Sequence, residues 1–181
     1  MASDRLMTST QAHLSDADPR ILDFLNAWRA ARRGNEIVPL KKNFDPMRVP
    51  TLLQFMWLYR FDPSNGNYLC RLAGEEVNAA WGYSIKGKSL AQIVGPVDYP
   101  TVLKRWHMIT NTPLVQYGTA RERLTEQTTQ QAERMLVPLK DTSGATSYVL
   151  GVSLYRYVNF EPVHIPPLSG NIVRIACADI G

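Results

Sequence analysis

Tyr68-Leu-Cys-Arg-Leu-Ala-Gly-Glu-Glu-Val-Asn-Ala-Ala-Trp-Gly-Tyr-Ser-Ile-Lys-Gly-Lys-Ser-Leu90 is the stretch that decides the fold. Tyr68, Cys70 and Leu72 alternate with Leu69, Arg71 and Ala73, the period-two pattern of a strand. Gly74 ends it, because glycine permits backbone conformations, positive φ among them, that a Cβ resists. Glu75 and Glu76 suit the positive end of a helix, and Val77, Ala80 and Trp81 give that helix an apolar stripe at i, i+3 and i+4. Gly82 supplies its stop. Gly87 marks a further turn, and Ser89 can cap the next short helix.

Upstream, residues 1–17 are polar and aperiodic and are expected to be disordered. Residues 18–50 form a helix and a linker. Asp18 can cap, Pro19 suits the first helical position, and Ile21, Leu22, Phe24, Leu25, Trp28 and Ala31 make a broad apolar stripe running to Gly34. Pro39, Pro46 and Pro50 hold the linker extended or turned. The core spans 51–157. Phe55 to Phe61 reads as a strand, and Asp62-Pro-Ser-Asn-Gly-Asn67 as the turn of a hairpin. Tyr99, Val102, Leu103, Trp106 and Ile109 recur at helical spacing in a longer helix opened by Asp98 and Pro100. Three β segments follow, about 114–124, 132–139 and 146–157. In the tail, 158–181, Pro162, Pro166 and Pro167 indicate extended chain, and Ile172 to Ile180 reads as a further strand or a partner-binding segment.

Composition sets broad bounds. A chain of 181 residues, 45% hydrophobic and 20% charged, suits one globular core. Two cysteines, Cys70 and Cys177, make neither a disulfide framework nor a zinc spacing, and no apolar run suggests a signal peptide or a membrane span. These features give the expectation of a soluble, cytoplasmic protein. The net charge of +4 invites a nucleic-acid reading, but the basic residues are scattered. Arg29, Arg32 and Arg33 read as a solvated helix end.

The order of Trp28, Asp45-Pro46, Leu52-Leu53, Arg71-Leu72-Ala73-Gly74, Gly82, Gly87-Lys88-Ser89-Leu90, Val137-Pro138-Leu139 and Gly151 resembles the PAS domain superfamily, in a bacterial branch with an Arg-Leu-Ala-Gly strand end, over residues 20–157. The resemblance implies an α+β fold with a five-stranded antiparallel sheet, helices packed on one face, and an N-terminal helix. It also implies a pocket between sheet and helices that holds haem, flavin or a small metabolite, or is filled by side chains. Candidate pocket residues are Arg71, Trp81, Trp106, His107, Tyr117 and Met135. The cofactor is unknown.

His107 lies on the helix that carries the iron ligand in some haem-binding relatives, but about 100° from the centre of the apolar stripe. Cys70 sits in a strand, not in the helical position of a photoactive cysteine, and reads as a packing residue. His13, His107 and His164 offer little for zinc. Arg71 could grip a carboxylate or phosphate, or simply pair with a nearby acid. Phosphate-loop, nucleophile-elbow, zinc-protease and dinucleotide motifs are absent from the sequence.

The expected function is therefore a non-enzymatic sensory or regulatory module acting through a protein signalling partner, with a small molecule as candidate ligand. The alternatives are a small α+β cone enzyme, an isomerase or hydrolase using His107, and a nucleic-acid-binding regulator. The stripe of Ile21, Phe24, Leu25 and Trp28 must be buried, either on the chain's own sheet or against a second copy in a homodimer.

Overall fold

The computed structural model describes residues 14–123, 129–157 and 170–181. Helix α1, Pro19–Ala30, begins as its sequence requires, with the Asp18 carboxylate accepting the Arg20 N–H at 2.9 Å and Pro19 in the first turn. It stops at Ala30, short of Gly34. The proline-bearing linker is turned rather than extended, with short 3₁₀ turns at Lys41–Asn43, Pro46–Arg48 and Pro50–Phe55. Strands β1, Met56–Asp62, and β2, Asn67–Ala73, form the expected hairpin. The Asp62 carboxylate accepts the Ser64 N–H at 3.0 Å within its turn.

Helix α2, Glu75–Trp81, ends at Gly82 in the left-handed region, φ 75°. Gly74 does not have the positive φ considered for it, since its φ is −69°. It must be glycine for another reason, because a Cβ there would run into the Gln54 carbonyl of the preceding 3₁₀ turn. Helix α3, Leu90–Asn111, opens with a reciprocal capping box between Ser89 and Gln92 and is broken at Gly95, with Pro96 restarting it. Strands β3, Leu114–Arg123, β4, Thr129–Lys140, β5, Thr146–Tyr157, and β6, Gly170–Ala176, complete the chain.

The sheet is antiparallel at every pairing, in the order β2-β1-β5-β4-β3-β6. Among the described residues it has six strands, not the five expected. The tail contributes β6 beside β3, with Val173 and Ile175 turned into the core. At the opposite edge, β2 is covered by the turn at Gly87, whose N–H donates to the Cys70 carbonyl at 2.8 Å, while the Cys70 N–H donates to the Lys88 carbonyl.

The core helices α2 and α3 lie on one face of this sheet, as expected, and the N-terminal helix α1 covers the other. Met56, Leu58, Met135, Val137, Leu150 and Val152 pack with α1 on one face. Trp57, Tyr59, Tyr68, Leu136 and Val149 pack with α2 and α3 on the other. Ile21, Phe24 and Trp28 are 0% exposed and Leu25 is 5% exposed. Each such side chain contributes about 1.5–3 kcal/mol by leaving water, and the Trp28 Nε1–H also donates to the Pro138 carbonyl at 2.8 Å. The arc that was a candidate dimer interface is thus buried on the chain's own sheet, and it offers no surface to a second copy.

Polar contacts fasten both ends of α1. The Asp18 N–H donates to the buried Glu133 carboxylate on β4 at 2.7 Å. At the other end Arg32, expected to be solvated, donates to the carbonyls of Ile180 at 2.6 Å and Cys177 at 3.1 Å and lies over the Trp28 ring. Residues 1–13 lie outside the description, so the expectation of disorder applies there untested. Leu14 and Ala17 contradict it, being buried in the α1 core.

Two outcomes follow for α1. Leu25→Glu is expected to unfold the protein rather than yield folded monomers, since an unpaired buried charge costs about 3–5 kcal/mol; far-UV circular dichroism with sedimentation checks this. The Arg20 guanidinium holds the Asp18 carboxyl down at about 2, from 3.8. A depressed carboxyl stabilises the fold above its unfolded value and loses that contribution as pH falls through its folded value. The stability difference between wild type and Asp18→Asn is therefore expected above pH 4 and to vanish as pH approaches 2, read from denaturant midpoints across an acid series.

Candidate functional site

The site is built where the sheet is bare. In the β1–β5 ladder Trp57 faces Gly151, and a Cβ on Gly151 would overlap the Trp57 indole. Glycine therefore lets the indole lie down on the sheet. Trp106, on the sheet-facing side of α3, stacks on Trp57 with centroids 5.4 Å apart and planes at 8°. Tyr59 and Tyr68 meet Trp106 edge-on at 4.8 and 5.2 Å, a geometry favoured by the ring quadrupoles. Four aromatic side chains thus occupy the space between α3 and this part of the sheet.

Their polar atoms are satisfied. The Tyr68 hydroxyl is 3.1 Å from the Thr110 hydroxyl. The Trp57 Nε1–H donates to the Ser153 Oγ at 2.8 Å, and the Arg134 Nε–H donates to the same oxygen at 2.8 Å. Arg134 also reaches the Tyr155 hydroxyl through Nη2 at 3.5 Å, with its guanidinium 5.8 Å from that ring's centroid. Burial pushes the Tyr59 hydroxyl well above its ordinary value and the Cys70 thiol up to about 11. A thiol so raised is protonated and is neither a nucleophile nor a ready metal ligand. Cys177, held near 12 by burial, is equally inert.

The residues chosen from sequence separate into three groups. Trp81, Trp106 and His107 lie with the α3-side cluster. Tyr117 and Met135 do not, because they belong to the α1-side core across the sheet, where the Tyr117 hydroxyl donates to Glu133 at 3.1 Å. Strand parity decides this: Leu114 and Leu136 face α3, so Tyr117 and Met135, each an odd number of residues away, face α1. Arg71 is exposed on edge strand β2, beside the register shift between Leu58 and Tyr59. It is not in the pocket.

His107 packs edge-on against Phe61 at 5.4 Å and beside Tyr68 at 5.7 Å. Aromatic rings thus border the imidazole on these two sides. Among the described residues no group of three or more His, Cys, Asp or Glu could hold a metal ion; His13 and His164 lie outside them. On the other side of the molecule, a groove of about 390 Å³ runs between α1 and the 46–52 turns, lined by Arg20, Asp23, Asn26 and Arg48 among others.

A sequence profile described as the PAS domain matches residues 17–154. The chain belongs to the PAS domain family. Among solved structures 39 chains match. One, "Structure of an RNA-binding Light-Oxygen-Voltage Receptor", aligns at 14% identity with a TM-score of 0.44, covering 68% of this chain and 35% of that one. This chain thus spans about a third of that receptor chain's length. No curated protein matches. Among the described residues no helix is long and apolar enough to cross a membrane.

The sequence reading missed Trp57, Gly151, Ser153 and Arg134. Alternation through Ala132, Arg134 and Leu136 would have put Arg134 on the α3 face, but the covering helix cannot be known from one strand. Gly151→Val is expected to displace the Trp57 indole and to cost about 1–3 kcal/mol through overpacking. Loss of the near-UV dichroism of the Trp57–Trp106 stack, with far-UV signal retained, checks it.

Proposed function

We propose that this PAS-family chain is a non-enzymatic regulatory module of the cytoplasm that conveys a signal by contact with another protein. The observation that carries this reading is the filled interior: Trp57, Tyr59, Tyr68 and Trp106 occupy the centre of the space under α3, leaving the outer surface to communicate. Chemistry speaks the same way. Both thiols are buried and raised, and His107 packs against the Phe61 and Tyr68 rings. Leu53, whose carbonyl lies close to Gly74, and Leu72 on β2 are 38% and 48% exposed, and they supply apolar surface of the kind partners use.

Affinity purification of the tagged full chain from its native cells tests the reading. Wild type is expected to recover a stoichiometric protein partner, and Leu72→Glu, with unchanged circular dichroism, to recover about tenfold less or lower still, the loss typical of a central contact. The purified protein is expected to show no Soret or flavin band. Such a band would replace this reading with a cofactor-based sensor, and turnover abolished by His107→Ala would replace it with an enzyme.

A further inference from the structure

We propose that the groove between α1 and the 46–52 turns binds a free apolar amino acid in its zwitterionic form, with the ammonium group toward Asp23 on the helix and the carboxylate toward Arg48 on the facing turn. An amino acid bound there supplies the input of the regulatory module proposed above, and its assignment as an input rests on that reading.

Helical spacing builds one wall of the groove. Arg20, Asp23 and Ala27, at i, i+3 and i+7, share a face of α1, and all three line the cavity. The turns build the other wall, where Arg48 closes one 3₁₀ turn and Val49 and Leu52 lie at the opening of the next. Ala27, Val49 and Leu52 are 5%, 6% and 1% exposed, so the base between the walls is apolar. All three belong to the α1-side core, which sets the groove on the far side of the sheet from the Trp57–Trp106 stack. Its volume of about 390 Å³ lies toward the lower end of the roughly 300–1,000 Å³ usual for small-molecule sites.

Three charged side chains line the groove, and the fold itself answers one of them. Arg20 donates to the Asp18 carboxylate through Nε at 3.0 Å and Nη2 at 2.8 Å, and its guanidinium lies 5.7 Å from the Phe55 ring centroid. Asp23 and Arg48 are exposed, and among the described residues neither side chain is in an ion pair or a hydrogen bond, with the other or elsewhere. One open charge of each sign therefore lines the same cavity, from opposite walls. A simple carboxylic acid entering there meets Arg48 but is repelled by Asp23, and a simple amine meets Asp23 but is repelled by Arg48. A zwitterion meets both, with a charge-assisted contact at each end, and the guanidinium fork matches a carboxylate. An apolar side chain on the same molecule then covers the apolar base. The small volume suits a single amino acid.

Calorimetric titration of the full chain with L-leucine and, separately, with L-phenylalanine tests the site. Saturable binding of at least one probe is expected, weakened about tenfold or more by Asp23→Asn and by Arg48→Gln, the loss of one charge-assisted hydrogen bond, and unchanged by Lys104→Gln on α3. Both groove variants alter exposed side chains, so their circular dichroism is expected to match wild type. Matched analogues of the tighter probe read the two ends separately. Isocaproate or hydrocinnamate, which lack the ammonium group, and isoamylamine or phenethylamine, which lack the carboxylate, are expected to bind about tenfold more weakly or worse. In Asp23→Asn the amino acid is expected to lose its advantage over the acid and keep its advantage over the amine, a pattern that a loss of fold does not produce. Failure of both amino acids to saturate, binding by both variants equal to wild type, or an acid that matches its amino acid overturns the site. A failed titration with the protein partner still recovered removes this inference alone, and a saturable titration with no partner recovered removes the regulatory reading alone.

Discussion

The contact between Trp57 and Gly151 governs the α3 side of the molecule. An indole lying down on a sheet needs a neighbour without a Cβ, and only glycine provides one. With Trp57 flat, Trp106 can stack at 5.4 Å and bring α3 down over the sheet, and Tyr59 and Tyr68 then close around it edge-on. With Trp57 upright, α3 would have to ride higher and the indole N–H would lose its bond to Ser153, which would keep Arg134 as a partner. One missing Cβ therefore sets the height of the helix and the packing of four aromatic rings.

The opposite face follows a different logic, with packing supplied by α1 and position supplied by polar clasps at its two ends. Glu133 holds the backbone at Asp18, and Arg32 holds the carbonyls of Cys177 and Ile180. The helix thus links the middle of the sheet to the C-terminal turn beyond β6. This explains why the tail folds at all: among the described residues β6 has only β3 as a strand neighbour, and its apolar Val173 and Ile175 need the α1-side core to bury against.

Local sequence carried most of the fold, because caps, turns and alternation are local physics. Asp18, Pro19, Ser89, Gly82 and Gly87 act where their chemistry directs. Gly74 was recognisable as obligatory but for the wrong reason, since close approach to Gln54 depends on a segment 20 residues away. The site was less legible. Trp106 could be placed by helical phase, whereas Tyr117 and Met135 were assigned to the wrong face because alternation gives two faces without saying which helix covers each. Arg32 reads as a solvated helix end until the C-terminal carbonyls it binds are in place. Arg134 was invisible for the same reason, its meaning resting on Ser153 in the neighbouring strand.

Strand β4 is where the two faces meet. Its consecutive residues Glu133 and Arg134 point in opposite directions, one to the N-cap of α1 and the Tyr117 hydroxyl, the other to Ser153 and Tyr155 beneath α3. Both are anchored at hydrogen-bond distance, so the backbone between them is tied to both faces. A displacement of β4 at Arg134 carries the backbone of the adjacent Glu133 with it. The α1 apolar stripe is fully buried and close-packed interiors transmit strain rather than dissipate it. The helix then either follows the strand or loses its first-turn anchor, so the α3 and α1 faces are mechanically joined through two adjacent residues.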